Sequence, residues 1–219
     1  FFGTGRYEDT NYRNRYSTWS AWDADGREWK FQKDVSIAGL DSQKCEMVTP
    51  ILTYGDMETL QELVRRLRKA GAKSDATRGC GVHIHIGLHG LDGRDHTAQS
   101  LRTLTNLMGI HEELLIGALN ISGSRITHYC KTVDERYLRE VNKKKPTTMA
   151  ELADIWYTSQ DADYGRSAHY NSSRYHMLNL HAAFTKGTVE FRLFQFDAPD
   201  GERQNGLHAG QLKSYIQLC

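Results

Sequence analysis

The sequence predicts an α+β fold in which helices pack on one face of an antiparallel sheet. Two segments, 82–86 and 188–196, alternate apolar and polar residues in the pattern of half-buried strands. Other segments repeat apolar residues with the helical period, and turn residues at 185–187 close a hairpin. The apolar face of the strands has to be covered, so the amphipathic helices are expected to lie against it.

The N-terminal part is expected to contribute a helix and two short strands. The region 6–29 is rich in Tyr and Trp and is predicted to form a helix over the sheet. Within this region, residues 23–26 are predicted to form a hairpin turn after the helix. Residues 33–37 and 45–52 favour short strands. Asp34 and Glu46 lie in these strands among β-prone neighbours, where a carboxylate is costly unless it is paired or metal-bound. An exposed position is the alternative for either acid.

Four helices are predicted from apolar periodicity. They span residues 56–70, 96–119, 133–143 and 149–157. Gly71 follows the first of them and is expected to terminate it. The apolar stripes of the first two are predicted to pack in the core, and they consist of Met57, Leu60, Leu63, Val64 and Leu67, and of Leu101, Leu104, Leu107, Met108, Leu114 and Leu115.

The strongest functional signal is the pair His83 and His85. Residues two apart on a strand share a face, so both imidazoles project together while Val82, Ile84 and Ile86 face the core. Such a face suits a divalent metal ion or a polyphosphate. The alternative is that one histidine binds a ligand and the other bonds to a neighbour. Glycines at 79, 81 and 87 would allow a ligand or another backbone to come close.

A second strand adds an acid and a base. Glu190 and Arg192 share one face, while Val189, Phe191 and Leu193 (or its neighbour Phe194) are apolar. A simple cross-strand ion pair worth at most ~1 kcal/mol is the alternative. The preceding segment 175–184 is predicted to be the extended partner of this strand, which would place Asn179 or His181 on the same side.

The polar segment 157–174 lacks periodicity and precedes this hairpin. A long polar loop in that position is often a lid or a substrate loop. Arg166, Tyr170, Arg174 and Tyr175 give it chemistry suited to phosphate or carboxylate groups. A disordered surface loop is the alternative.

The length of the chain favours a single catalytic domain that spans residues 1–219, because 219 residues can bury a sizeable core. The net charge of +1 argues against nucleic acid or a basic membrane-binding role, and no apolar run approaches the ~18 residues of a spanning helix. Four cysteines without CxxC spacing predict reduced thiols and a cytoplasmic location.

Five motifs occur in an order that resembles the amidoligase family, distant relatives of glutamine synthetase and glutamate–cysteine ligase. They are Asp-x-Ser-Ile at 34–37, Glu-x-x-Thr-Pro-Ile-Leu at 46–52, Gly-Val-His-Ile-His at 81–85, Tyr-His-x-Leu-Asn at 175–179 and Val-Glu-Phe-Arg-Leu-Phe at 189–194. The resemblance covers most of the chain. It implies a glutamine-synthetase-like or glutamate–cysteine-ligase-like catalytic domain that uses ATP and Mg²⁺ to join a carboxylate to an amine through an acyl phosphate. The implied substrates are small molecules or peptides.

The resemblance also implies roles for individual residues in these motifs. The implied catalytic residues are Glu46, Glu190 and Arg192. The implied metal ligands are Glu46, His83 and Glu190, with Asp34 in the same shell. His85, Asn179 and Arg192 are implied to contact the nucleotide or the substrate.

One departure from the family pattern leaves alternatives open. The family normally carries a metal-binding Glu-x-Glu strand before a Phe-Gly pair, whereas this chain opens at Phe1-Phe2-Gly3 and stops inside a helical pattern at Cys219. The chain is therefore expected to be truncated at both ends. If the Glu-x-Glu strand is absent, an inactive binding domain is one alternative. A cupin-like non-haem metal enzyme built on the two histidines is another.

Overall fold

The computed structural model describes residues 1–74, 76–90, 93–196 and 206–219. The described residues fall into two compact units, one from Phe1–Cys80 and Ala198–Ser214 and one from Gly81–Asp197 and Tyr215–Cys219. Both contain antiparallel sheet and helix, so the predicted α+β class is confirmed. The single-domain organisation stays a prediction. None of the helices in the described ranges combines the length and apolarity needed to cross a membrane.

The first unit is a four-stranded antiparallel sheet with one long helix. Its elements are β1 (Tyr7–Asp9), β2 (Thr18–Trp22), β3 (Glu28–Gln32), β4 (Glu46–Val48) and α1 (Met57–Lys69), and the strands lie in the order β1-β2-β3-β4. The helix follows a capping box formed by Thr53 and Asp56 and ends before Gly71, whose φ is +92°. The predicted helix 56–70 is confirmed within about one residue at either end.

The helix predicted over residues 6–29 is wrong. These residues form β1, β2 and part of β3, because alternate positions of Thr18–Trp22 are buried on one face, a period of two rather than 3.6. The predicted turn at 23–26 is confirmed. Asp23 accepts hydrogen bonds from the backbone N–H groups of Asp25 and Arg27, and Gly26 has a φ of +75°.

The strand predicted at 33–37 is also wrong, and the one at 45–52 is shorter than expected. Asp34 accepts hydrogen bonds from the backbone N–H (2.8 Å) and hydroxyl (2.7 Å) of Ser36, which turns the chain there. Only Glu46–Val48 pairs with β3, and the ladder ends before Pro50.

The second unit is a three-stranded antiparallel sheet whose apolar face joins a helical core. Its strands are β5 (Val82–Gly87), β6 (Leu178–Asn179) and β7 (Thr188–Phe194), in the order β5-β7-β6. Its helices are α2 (Ala98–Ala118), α3 (Gly123–His128), α4 (Glu135–Lys144), α5 (Met149–Ser159) and α6 (His181–Lys186). The C-terminal helix α7 (Ala209–Leu218) is divided between the units, with its residues through Ser214 in the first and the rest in the second. Ile84, Val189 and Phe191 belong to the same buried cluster as residues of α2, α4 and α5. The helices predicted at 96–119, 133–143 and 149–157 are confirmed.

Two expectations about packing in this unit need correction. On α2, Leu107 and Leu114 are 52% and 66% exposed, so they are not core residues as predicted. The extended segment 175–184 is strand only at Leu178–Asn179, and α6 follows it. Apolar residues such as Ala182 and Ala183 no longer alternate with polar ones there, and Gly187 ends the helix at a φ of +69°.

A register shift explains why two adjacent residues of β7 are apolar and buried. Val82 pairs with Phe194 and Ile84 with Phe191, so the single residue His83 faces two residues of β7, Arg192 and Leu193. A bulge of this kind interrupts the alternation of side chains. Leu193 and Phe194 are each 1% exposed, so both alternatives left open by the sequence are core residues.

Candidate active site around Glu190

Three residues lie side by side across the second sheet at the position of Glu190. Since β7 is the central strand, Glu190 pairs with His85 on β5 and with Asn179 on β6. Glu190 Oε1 is 3.5 Å from His85 Nε2 and 3.6 Å from His83 Nδ1. The structure therefore brings His83, His85, Asn179 and Glu190 to one place, as the strand patterns predicted.

The Glu190 carboxylate is buried and fully engaged. It is 2% exposed, its Oε1 accepts a hydrogen bond from Arg192 Nη1 at 2.6 Å, and its Oε2 accepts one from Asn179 Nδ2 at 2.5 Å. Burial by itself would raise the pKa of Glu190, but interactions with His85 and the charge of Arg192 outweigh it and hold that pKa well below its usual range. The carboxylate is thus ionised at neutral pH.

The two histidines lie at the more open side of this carboxylate. The side chains of His83 and His85 are 29% and 35% exposed. His85 Nδ1 shares a hydrogen bond with Thr188 Oγ1 at 2.8 Å, which orients the ring with Nε2 towards Glu190. Desolvation and the charge of Arg192 lower the pKa of His83, so its imidazole is neutral at pH 7 and has a nitrogen lone pair for a ligand.

Arg192 is held in a fixed position within the sheet. It is 4% exposed, its Nε donates to the Tyr129 carbonyl at 3.3 Å, and its guanidinium carbon lies 5.7 Å from the centre of the Tyr175 ring. The aromatic contact and the two hydrogen bonds restrict the side chain, so its charge is oriented before any ligand binds.

Arg125 is a site residue that sequence reasoning missed. It lies in the short helix α3, is 1% exposed, and its Nη2 donates to the Arg192 carbonyl at 2.6 Å. Its charge also lowers the pKa of His83, after desolvation and Arg192. A Cβ at position 81 would overlap this guanidinium. The glycine at 81 therefore signals a close approach as predicted, but the group that approaches is a side chain.

Asn179 carries an unsatisfied oxygen in this buried setting. The residue is 2% exposed, and while its Nδ2 is bonded to Glu190, its Oδ1 has no hydrogen-bond partner among the residues that the structure describes. A buried acceptor without a donor costs ~1–3 kcal/mol, so Asn179 Oδ1 is open to a hydrogen bond from a water molecule or a ligand.

The remaining predicted ligands, Asp34 and Glu46, belong to the first unit. Asp34 lies in the turn closed by Ser36, and Glu46 is exposed on β4 opposite Gln32. Their roles in a metal site stay predictions. Within the described parts of the chain, no group of three or more His, Cys, Asp and Glu side chains is arranged to hold a metal ion.

His181, the alternative to Asn179 in the sequence analysis, takes a different place. It begins α6, where Nδ1 shares a hydrogen bond with the Tyr157 hydroxyl at 2.7 Å and Nε2 with the Ala168 carbonyl at 3.1 Å. It therefore anchors the 157–174 segment. That segment is helical through Ser159 and continues in turns, with Arg166 paired to Asp154 and Asp163 rather than directed at Glu190.

The buried, ionised Glu190 carboxylate has one arginine and two imidazoles beside it, and pKa values shifted as strongly as those of Glu190 and His83 often mark functional sites. A family model described as "Putative amidoligase enzyme" matches residues 4–219, so the chain belongs to the amidoligase family. This membership supports an amide-forming ligase. No significant match was found among curated proteins or among solved structures.

Proposed function

We propose that the protein is an ATP- and Mg²⁺-dependent carboxylate–amine ligase with a catalytic domain like that of glutamine synthetase or glutamate–cysteine ligase. The observation that carries this proposal is the ionised Glu190, held by Arg192, His85 and Asn179 within a chain that belongs to the amidoligase family. The acyl group would come from a small-molecule or peptide carboxylate.

Amide formation in water needs an activated carboxylate. A carboxylate is a poor electrophile, and its oxygen is a poor leaving group. Transfer of the γ-phosphoryl group of ATP to a carboxylate oxygen forms an acyl phosphate and ADP. Attack by the amine then breaks the acyl C–O bond, releases phosphate and leaves its extra proton to a base or to water. Both steps build negative charge on phosphate oxygens.

Arg192 would contact those oxygens. The Arg192 side chain is restricted before any ligand arrives, and Arg125 bonds to its backbone, so little reorganisation is needed when charge develops. His85, beside Glu190 on the open side, would contact the nucleotide or the substrate.

Magnesium would lie near Glu190. Glu190 is the oxygen donor here, and His83 offers a neutral nitrogen. Bound there, the metal would neutralise the β- and γ-phosphates of ATP.

The position of Arg192 favours a metal that arrives with ATP over a resident iron or zinc ion. Two histidines and Glu190 resemble the donor set of a non-haem metal enzyme. However, Arg192 Nη1 is 2.6 Å from the same Glu190 oxygen that faces both imidazoles, and it would repel a resident cation. ATP brings the negative charge that offsets this repulsion.

Product analysis tests the proposal. The protein is incubated with ATP, Mg²⁺ and a panel of carboxylates and amines, and nucleotide products are separated by chromatography. We expect ADP and phosphate in a 1:1 ratio with the amide. AMP and pyrophosphate, or amide formed without ATP, would exclude the acyl-phosphate route. Iron or zinc bound at one equivalent, with no response to ATP and Mg²⁺, would favour the cupin-like alternative.

A further inference from the structure

A cleft in the second unit opens beside Glu190, and the reaction proposed above does not say where the amine substrate binds. Arg174 and Lys186 contribute to its lining, and Asn179 and Glu190 are two of its buried residues. Its volume is about 170 Å³, well below the ~300–1,000 Å³ of sites for drug-sized ligands. The cleft therefore suits a small ligand or one end of a larger one, and it is too small for a whole nucleotide.

The Arg174 side chain is held in place by its neighbours, and its Nε–H donor has no hydrogen-bond partner among the described residues. Its Nη1 donates to the His169 carbonyl at 2.7 Å, and its guanidinium carbon lies 5.6 Å from the ring centres of both Tyr170 and Tyr175. Its Nε is buried and has no hydrogen-bond partner in the described chain. A guanidinium held in this way presents a fork of N–H groups that matches a carboxylate or phosphate group.

The charges around the cleft favour an anion. Lys186 is exposed at the cleft and, within the part of the chain that the structure describes, makes no ion pair. The charge of Glu190 is already engaged by Arg192 and Asn179. Arg192 and Arg174 both contact the Tyr175 ring, and the charge of Arg192 is balanced by Glu190. Among the described residues, Arg174 and Lys186 are therefore left as the unpaired charges at the cleft. The uncompensated charge is thus positive.

Asn179 adds a requirement that an anion alone does not meet. Its Oδ1 is a buried acceptor without a donor, and its Nδ2 is committed to Glu190. A simple carboxylate is ionised at neutral pH and has no N–H or O–H to offer. The ligand therefore has to carry an oxyanion together with a hydrogen-bond donor.

We propose that the cleft binds an α-amino carboxylate, either a free amino acid or the end of a peptide. The carboxylate binds Arg174 and Lys186, and the nitrogen donates to Asn179 Oδ1. This places the nitrogen next to Glu190 and makes the ligand the amine substrate of the ligation. In that last respect the inference rests on the proposed function, whereas binding itself does not depend on it.

Binding is tested by NMR of protein labelled with ¹⁵N-arginine, because the buried Nε–H of Arg174 reports on the cleft directly. The probes are L-alanine, L-serine and L-glutamate, each paired with its analogue without the amino group: propionate, 3-hydroxypropionate and glutarate. At least one amino acid should shift the Arg174 signal saturably, at least ~10-fold more tightly than its analogue, since a hydrogen bond involving a charged group is worth that much. Inorganic phosphate, which carries an oxyanion and an O–H at neutral pH, is titrated as well, and tighter binding of phosphate than of every amino acid would overturn the assignment.

Two variants and a matched control locate the site. Arg174→Gln should weaken binding of the responding amino acid by ~10-fold or more, and Lys186→Gln, an exposed change that preserves the fold, by a smaller factor. These variants are followed by the ¹⁵N–H signals of the remaining residues and by titration calorimetry. Arg166→Gln alters an arginine of the same segment that pairs with Asp154 and Asp163, and it should leave binding unchanged.

The inference is overturned if no amino acid of the panel binds, if each analogue binds as well as its amino acid, or if Arg174→Gln and Lys186→Gln both bind as the unaltered protein does. Stabilisation by ATP with Mg²⁺ is measured on the same samples. If that response is present and the amino acids fail to bind, only the assignment of the cleft is wrong. If amino acids bind and ADP is never produced, the ligase proposal fails and the cleft assignment stands.

Discussion

Asn179 lies directly opposite Glu190 across the ladder of β6 and β7, and its amide donates to Glu190 Oε2 at 2.5 Å. Position 179 is one of only two residues in β6, so a very short strand determines the placement of a site residue. This pairing leaves the other amide atom, Oδ1, buried and free to face a ligand. The same amide thus orients the carboxylate and contributes to the cleft.

Glu190→Gln should remove most of the amide-forming activity. The change keeps the shape of the side chain but removes the charge, and loss of one such charged group commonly lowers the rate by ~10²–10³. ADP release coupled to amide formation is the measurement, with circular dichroism to check folding. Glu113→Gln on the exposed part of α2 is the matched control. Equal rates for the two variants would remove Glu190 from the mechanism.

Gly81→Ala should destabilise the second unit by about 1–3 kcal/mol, because the added Cβ overlaps the buried guanidinium of Arg125 and forces it to move. Gly117→Ala on α2 is the control, since nothing lies within 4 Å of the added atom there. That change should stabilise by up to about 1 kcal/mol through helix propensity. Urea unfolding measures both, and similar midpoints for the two variants would contradict the prediction.

Stability of the second unit should fall as the pH drops below about 6.5. Burial lowers the pKa of His176 and of His181 from the ordinary value of 6.5, so the unfolded chain binds protons in this range before the folded chain does. The stabilisation is fully present above pH 6.5 and is lost as the pH falls from 6.5 towards the folded pKa values. Each such histidine contributes a slope of up to ~1.4 kcal/mol per pH unit.

His176→Gln isolates one of these contributions. Glutamine can still donate to the Thr132 carbonyl, which His176 Nδ1 contacts at 2.6 Å, but it does not titrate. Unfolding free energies from urea titrations between pH 7 and pH 5 should therefore show a shallower slope for the variant. An unchanged slope would show that His176 binds its proton equally well in the folded and unfolded chain.

Asp23→Asn should destabilise the first unit by about 1–3 kcal/mol. The Asp23 carboxylate accepts hydrogen bonds from Trp29 Nε1 at 3.0 Å and from Arg27 Nε at 2.9 Å. Burial would raise the pKa of Asp23, but these hydrogen bonds lower it overall, so its contribution is present at neutral pH and is lost in acid. Asp25→Asn, at a side chain that is 76% exposed, should cost less than about 0.5 kcal/mol. Thermal unfolding of both variants makes the comparison, and an equal loss would contradict it.

Regular local patterns were sufficient for part of the fold. The alternation in β5 and β7 predicted which residues face the core and which form the site, because side chains alternate along a strand whatever its partner. Helices α2, α4 and α5 followed from apolar periodicity, and Thr97, Asp134 and Thr148 cap their first turns. Caps and apolar periodicity involve residues only a few positions apart, so they can be recognised in the sequence without knowledge of the tertiary structure.

The N-terminal sheet and α6 were not predictable in the same way. Aromatic residues at 6–29 suit either a covering helix or a sheet, and the choice depends on pairing between β1, β2 and β3. Residues 181–186 follow a strand that contributes only two residues, and their apolar side chains fit a buried helix as well as a strand. Local preference is weak in both segments, so tertiary contacts decide.

The sequence by itself determined the family and the α+β class. It also determined the strand face that carries His83, His85, Glu190 and Arg192, because the order of the motifs and the alternation of side chains along a strand can be read from neighbouring residues. Tertiary structure alone decided that Asn179, rather than His181, meets Glu190, and that Arg125 donates to the Arg192 carbonyl. It also decided that Arg174 and Lys186 share a cleft with Asn179 and Glu190. These relationships depend on which strands pair and in which register. Residues distant along the chain settle that pairing together, through the burial of one common core.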